Sequence, residues 1–221
     1  MGAKSKPLAY AGIRNGRYSK RLADGKRGTD AKGLPYAISL VLNPAFSVQD
    51  RYADDRKIIA IPSDQGYTGT YGCTGQDVDF ELDLGQLIAL DNGTIAAVKV
   101  TYMERFDLYF EYTVHPTGAR AFTVKAWVLG VELGKPSMTH NTNTESVTMG
   151  DYQYPLTAYG ETVMGENDEP YRDAEGFERV ALIVKSVPGD ADYANFHKAP
   201  PEPVKTGATP TPTPPDPTPD P

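Results

Sequence analysis

Four carboxylates stand at alternate positions in Asp77-Val-Asp-Phe-Glu-Leu-Asp-Leu84. Grouped carboxylates are the side chains that do general acid–base work or hold hard cations. Asp77, Asp79, Glu81 and Asp83 alternate with Val78, Phe80, Leu82 and Leu84, the period of a half-buried strand with its acids on the open face. Neighbours on one strand face lie about 6.5–7 Å apart, from a rise of ~3.3 Å per residue, too far for two of them to share a cation without ligands from elsewhere. The bland reading is a solvated strand face. The sharper one is a surface turned towards a polyanion that must not stick. His115, His140 and His197 share no metal-ligand spacing. Cys73, in Tyr-Gly-Cys-Thr-Gly, has no activating base beside it in the sequence and reads as a small packed residue. There is no P-loop, G-x-S-x-G or dinucleotide fingerprint. The expectation is a protein that is not an enzyme and uses no metal or cofactor, against the residual alternative of catalytic groups scattered across strands.

What positions these residues follows from composition and pattern. The 221 residues include one Cys, 19 Pro and 14 Tyr, with a net charge of −7. A single Cys excludes a disulfide framework and a Cys-rich zinc site. No stretch approaches the ~20 apolar residues that cross a bilayer, and the first residues carry no apolar segment of a secretory leader, so neither export nor a membrane is expected. Charge is unevenly placed: residues 1–32 hold nine Lys or Arg and two acids, leaving a net of −14 on the remainder. The basic segment is rich in Gly, short of aliphatics and without helical period, so residues 1–33 read as an arm or long loops. Such an arm would contact nucleic acid phosphates, dock on an acidic neighbouring copy, or simply be solvated.

The body reads as mainly β, a β-sandwich or partial barrel of about eight strands with one short α-helix. Besides the acidic segment, strands are expected at 34–42, 95–103, 106–114, 121–131, 146–154, 156–163 and 180–187, and the helix at 84–90, stopped by Asn92-Gly93. Residues 50–75 show little strand pattern and read as a long loop inside a β domain spanning 34–198. Ten prolines lie from Pro200 onward. Residues 199–221 therefore read as a Pro/Thr-rich disordered tail that favours polyproline II.

The stretch Leu42-Asn-Pro-Ala-Phe-Ser-Val-Gln-Asp-Arg-Tyr-Ala-Asp-Asp55 resembles the major tail proteins of long, flexible-tailed bacteriophages (siphophages). The Gly-rich run 66–75, the alternating acidic segment, the strand pair in 95–111, residues 122–134 and Pro136-Ser-Met-Thr-His-Asn-Thr-Asn-Thr-Glu145 follow in that family's order. The similarity covers roughly residues 8–196 and leaves out the basic start and the Pro-Thr tail. It implies a tail-tube fold with extended arms, related to the type VI secretion tube. It also implies self-assembly into stacked hexameric rings that form the conduit for the genome. By the same resemblance the partners are further copies, the tape measure protein and the terminator and tip proteins. DNA would pass without tight binding. The protein would reside in the virion, and in the host cytoplasm during assembly. The family has no catalytic residues to carry over. On this basis Asp77, Asp79, Glu81 and Asp83 are expected to line the lumen, and Arg14, Arg17, Arg21, Arg27, Tyr52, Asp54 and Asp55 to serve inter-subunit arms or loops. The alternatives are a carbohydrate-binding β-sandwich with a Pro-Thr linker and a nucleic-acid-binding protein that uses residues 1–32.

Overall fold

The computed structural model describes residues 8–22, 26–34, 37–53, 56–117, 120–138, 151–165 and 168–205. Among them the chain is mainly β with a single short helix. The strands are β1 (Leu8–Lys20), β2 (Lys32–Gly33), β3 (Ala37–Ala53), β4 (Arg56–Cys73), β5 (Leu87–Ala89), β6 (Ile95–Ala97) and β7 (Phe106–Pro116). They continue with β8 (Phe122–Leu133), β9 (Ser137–Met138), β10 (Tyr152–Ala158), β11 (Glu161–Thr162), β12 (Val180–Ala181) and β13 (Ile183–Ser186). Helix α1 (Val78–Asp83) lies between β4 and β5.

Nine strands form one sheet, in the order β2-β1-β7-β8-β10-β4-β3, with β13 added to β8 and β9 to β10. All its pairings are antiparallel. Strand β8 divides its free edge, giving residues 125–128 to β13 and 131–133 to β10. The sheet curls until β1, near one end, meets the other. Leu34 N–H donates to the Gly16 carbonyl at 2.7 Å, and a Cβ on Gly16 would stand 3.1 Å from both the Leu34 carbonyl oxygen and the Tyr71 hydroxyl.

Both faces of the central pair β7–β8 are buried, which is why this part of the sequence carries so many large apolar residues. Inside the curl, Tyr18, Tyr71, Phe80, Phe106, Leu108 and Tyr154 form the core with Leu84, Val128, Val131 and Leu156. Phe80 stands edge-on to Phe106, 5.7 Å away, and to Tyr154, 6.1 Å away. Helix α1 is thus held by one ring. On the outer face Tyr109, Trp127, Leu129 and Phe196 form a second cluster. Its cover is the turn-rich segment before Pro200. The Trp127 indole N–H donates to the Phe196 carbonyl at 2.7 Å, and the Lys125 ammonium to that of Tyr193 at 2.6 Å.

Four expectations from the sequence are corrected here. The alternating segment 77–84 is α1, not a strand. The Asp77 carboxylate accepts the N–H of Phe80 at 3.0 Å as N-cap, and Asp79 and Glu81 suit the positive end of the first turn. The helix expected at 84–90 is a Gly85 turn followed by β5, and Asn92-Gly93 is the turn of the β5–β6 hairpin, with Leu90 N–H bonded to the Thr94 carbonyl. The loop expected at 50–75 is the end of β3 and all of β4. Of residues 1–33, 8–20 are a sheet strand rather than an arm. At the other end, residues 199–205 are stitched to the body, since Met164 N–H donates to the Pro203 carbonyl and Lys205 N–H to that of Met164. Part of the strand expected at 146–154 lies outside the described residues.

Strand β4 must come close to β3 at Gly69, where a Cβ would overlap the carbonyl oxygen of Val41. We expect Gly69→Ala to lower stability by about 1–3 kcal/mol, the usual cost of overpacking. Gly75→Ala, with open space around its Cβ position, should stay within about 0.5 kcal/mol of wild type. Urea midpoints at unchanged m-value measure both.

Candidate assembly surfaces

Strand β10 pairs with β4 only from Tyr67 to Cys73. Beyond that point β3 and β4 pair with each other alone, from Phe46↔Asp64 to Ala53↔Arg56. The result is a two-stranded ribbon of eight β3 residues, about 25 Å long at the usual rise. It leaves the sheet at an elbow formed by a register shift between Pro44 and Phe46 and by Gly66. Gly66 has φ +88°, and a Cβ there would overlap the Ala158 carbonyl oxygen. The Gly66 N–H is held by the Asp64 carboxylate at 2.9 Å.

Phe46 is 60% exposed and Val48 47%, on one face of the ribbon, and Ile61 is 51% exposed on the other. Asp50 and Lys57 pair across it at 2.6 Å. Of the proposed contact residues, Tyr52 is the last but one of β3, near the ribbon's tip, and Asp54 and Asp55 lie outside the described residues. Outermost strand β3 has no hydrogen-bonded strand on its far side among the described residues; its first residues lie against β1, which leaves the ribbon part of this edge open.

The basic segment is engaged with its own chain. Asp107, fully buried on β7, faces Arg21 Nη2 and Arg27 Nε, each at 3.3 Å, and accepts the Gly130 N–H at 2.9 Å. Arg21 also pairs with Glu161, and Arg27 donates to the Pro201 carbonyl. Burial pushes the Asp107 carboxyl upward, and Arg21, the Gly130 N–H and Arg27 pull it back. Arg14 pairs with Glu111 at 3.5 Å, while Lys20 and Lys32 both reach Asp83. Arg17 is half-buried, with Asn15 Oδ1 3.4 Å from its Nε. The expected acidic partner of this segment is thus supplied within the chain.

The four acids expected in one row are dispersed by α1. Asp77 caps the helix and Asp79 is exposed. Glu81 is buried, accepting from the Tyr154 hydroxyl at 2.7 Å and the Gln76 amide at 2.6 Å. A carboxylate turned inward cannot face a lumen, so Glu81 is withdrawn as a lumen residue. Asp83 accepts from the Tyr18 hydroxyl at 2.7 Å. Burial opposes ionisation of Asp83, but Lys32, Tyr18 and Lys20 outweigh it and hold its carboxyl below the usual range. Glu111 is likewise depressed against burial, by Asn15, the Tyr109 hydroxyl and Arg14.

No known protein family and no curated protein matches the sequence. Cys73 is buried, its thiol pushed up by burial and 3.1 Å from the Gly75 carbonyl. His115 is exposed at the end of β7, burial and nearby cations push His197 down, and His140 lies outside the described residues. No group of three metal-ligating side chains occurs among the described residues, nor is any helix among them long and apolar enough to cross a membrane. A second apolar surface escaped sequence reasoning. Ile88, Leu90 and Ile95 on the β5–β6 hairpin are exposed with Tyr102 and Met103. Beside them a cavity of about 350 Å³ is lined by Leu84, Gln86, Val100, Met103 and Leu133.

Removing the carboxylate in Asp107→Ala leaves two guanidinium groups without their partner and should cost about 3–5 kcal/mol. Trypsin should then cut after Arg21 or Arg27 at enzyme levels that spare them in wild type. Asp83 and Glu111 give a pH signature. Their folded-state values lie below the unfolded ones, so their contribution is present above about pH 4 and is lost as pH falls through the folded values. Asp83→Asn with Glu111→Gln should flatten the acid limb of a stability–pH curve.

Proposed function

We propose that this chain is the repeating subunit of a phage tail tube, closed into hexameric rings that stack into a conduit for DNA. The observation that carries the reading is the β3–β4 ribbon. A two-stranded hairpin is marginal by itself in water, yet this one extends about 25 Å beyond the sheet with apolar side chains exposed on both faces. Burial of Phe46, Val48 and Ile61 on a neighbouring copy would stabilise it by about 1.5–3 kcal/mol for each side chain fully covered. The unpaired β3 edge supports the same reading. Edge-to-edge pairing is a heterologous contact, and such contacts close into rings when the rotation permits. A net charge of −7 suits a passage that must not retain phosphate. The tape measure, terminator and tip proteins would be the other partners, in the virion and, during assembly, in the host cytoplasm.

The carbohydrate-binding alternative needs exposed planar aromatics; the single Trp127 is fully buried, which leaves that role to tyrosines such as Tyr10 and Tyr102. A nucleic-acid-binding arm would need free cations, and Arg14, Lys20, Arg21, Arg27 and Lys32 already face carboxylates.

Negative-stain electron microscopy with sedimentation tests the proposal. Purified chain, concentrated at moderate salt, should give rings or hollow tubes. Phe46→Asp combined with Ile61→Asp should leave a folded monomer by circular dichroism and abolish the tubes. A wild-type chain that remains monomeric throughout would overturn the tube reading. Tubes unaffected by the two substitutions would remove the ribbon from the contact.

A further inference from the structure

Helix α1 covers the inner face of the sheet only part of the way along β7. Phe106 and Leu108 are sealed, while Phe110 and Tyr112, next on that face, are half-buried. They emerge into a groove of about 380 Å³ lined by Tyr10, Gly12, Phe110, Tyr112, Ile183 and Lys185. Phe110 and Tyr112 stack with 26° between their planes and 5.8 Å between centres. Tyr10, 66% exposed, tilts 58° from Tyr112 at 5.8 Å. The Lys185 ammonium stands 6.0 Å from the Tyr112 ring centre. Gly12 leaves the space above its Cα open. The groove is an aromatic slot with a cation at its rim.

Slots of this chemistry take proline-rich strands, because prolyl rings pack on aromatic faces and polyproline II is already ordered before binding. The chain carries such a strand. Pro212-Thr-Pro-Pro215 and Pro214-Pro-Asp-Pro217 are overlapping P-x-x-P sequences, and Asp216 and Asp220 are the only charged side chains after Lys205. Their sign complements Lys185. Prolines three apart in polyproline II lie about 9 Å apart on one face, and the ring row from Phe110 through Tyr112 to Tyr10 spans at most about 12 Å.

The reach is sufficient. Val204 bridges Met164, whose neighbour Val163 bonds Arg179, four residues before Ile183. Two strand spacings and four strand residues amount to under about 25 Å. The eleven residues from Lys205 to Asp216 span about 34 Å as polyproline II. A tether of this length gives an effective concentration on the order of millimolar, so a weak site suffices.

We propose that residues 210–217 dock as a polyproline II strand in their own chain's groove between β1, β7 and β13, with Asp216 facing Lys185. The test uses the full chain with Thr213→Cys carrying a nitroxide, Cys73 being buried, and reads paramagnetic broadening of backbone amide resonances. The expected result is broadening centred on Gly12, Tyr112 and Lys185 in dilute protein, lost in Tyr112→Ala and weakened in Lys185→Glu. Exposed Lys185 keeps the test valid if the Tyr112 variant folds poorly. The proposal is overturned if the groove amides stay sharp, or if broadening survives both substitutions. It is equally overturned if broadening appears only when labelled chains are mixed with unlabelled ones, which would assign the contact to another copy.

Discussion

A carboxylate without access to water sits at the start of the central strand β7, and much of the chain is arranged around it. Asp107 lies between Phe106 and Leu108, on the outer face that also carries Tyr109. Leaving such a charge unmet costs several kcal/mol, so the chain after β1 doubles back to bring Arg21 and Arg27 against it. Arg21 extends the contact to Glu161 and Arg27 to the Pro201 carbonyl. One buried charge therefore ties together the beginning, the middle and the late part of the described chain. The exposed pairs around it contribute far less, because water and salt screen them.

This arrangement explains why the charge asymmetry of the sequence misleads. A net of +7 over residues 1–32 and −14 over the rest looks like two complementary surfaces waiting for each other on different molecules. Most of that complementarity is consumed within the chain, where β1 lies beside β7 and the end of α1. What remains on the exterior is mainly acidic and apolar. In the assembly proposed above, apolar burial and backbone edges would have to supply the attraction, with like charge setting the limits of approach.

Strands β7 and β8 were legible because each is a long run rich in aromatic and β-branched residues between turn signals, with Phe106, Leu108 and Phe110 on one face of β7. Strand β1 was not, for a local reason. Two register shifts, between Ala11 and Arg14 and between Arg14 and Arg17, break the period of two, and Asn15 takes φ 54° to allow it. The segment 77–84 fits both periods. Phe80 and Leu84 are four apart, as a helix wants, while the acids alternate as a strand wants. Six helical residues are too few to separate the two; Asp77 as N-cap was the available signal. The ribbon failed for a different reason. Its two faces are alike in polarity, so no alternation marks it, and only its pairing reveals it as a strand. The charge pairs of the basic segment join residues more than fifty positions apart, a link that no local pattern reports. The groove beside Tyr112 was invisible for the same reason, being assembled from β1, β7 and β13.

The elbow at Gly66 makes the ribbon a lever. A rotation of ten degrees there, about a sixth of a radian, carries a tip ~25 Å away through roughly 4 Å, about one strand spacing. A change too small to disturb the hydrogen bonds at the base is thus large enough at the tip to exchange one set of neighbours for the next. The direction of the tip is therefore set at the base, by the bond of Gly66 to Asp64 and its close approach to the Ala158 carbonyl. In the assembly proposed above, the same amplification would let successive contacts differ slightly in angle while every subunit kept an identical core.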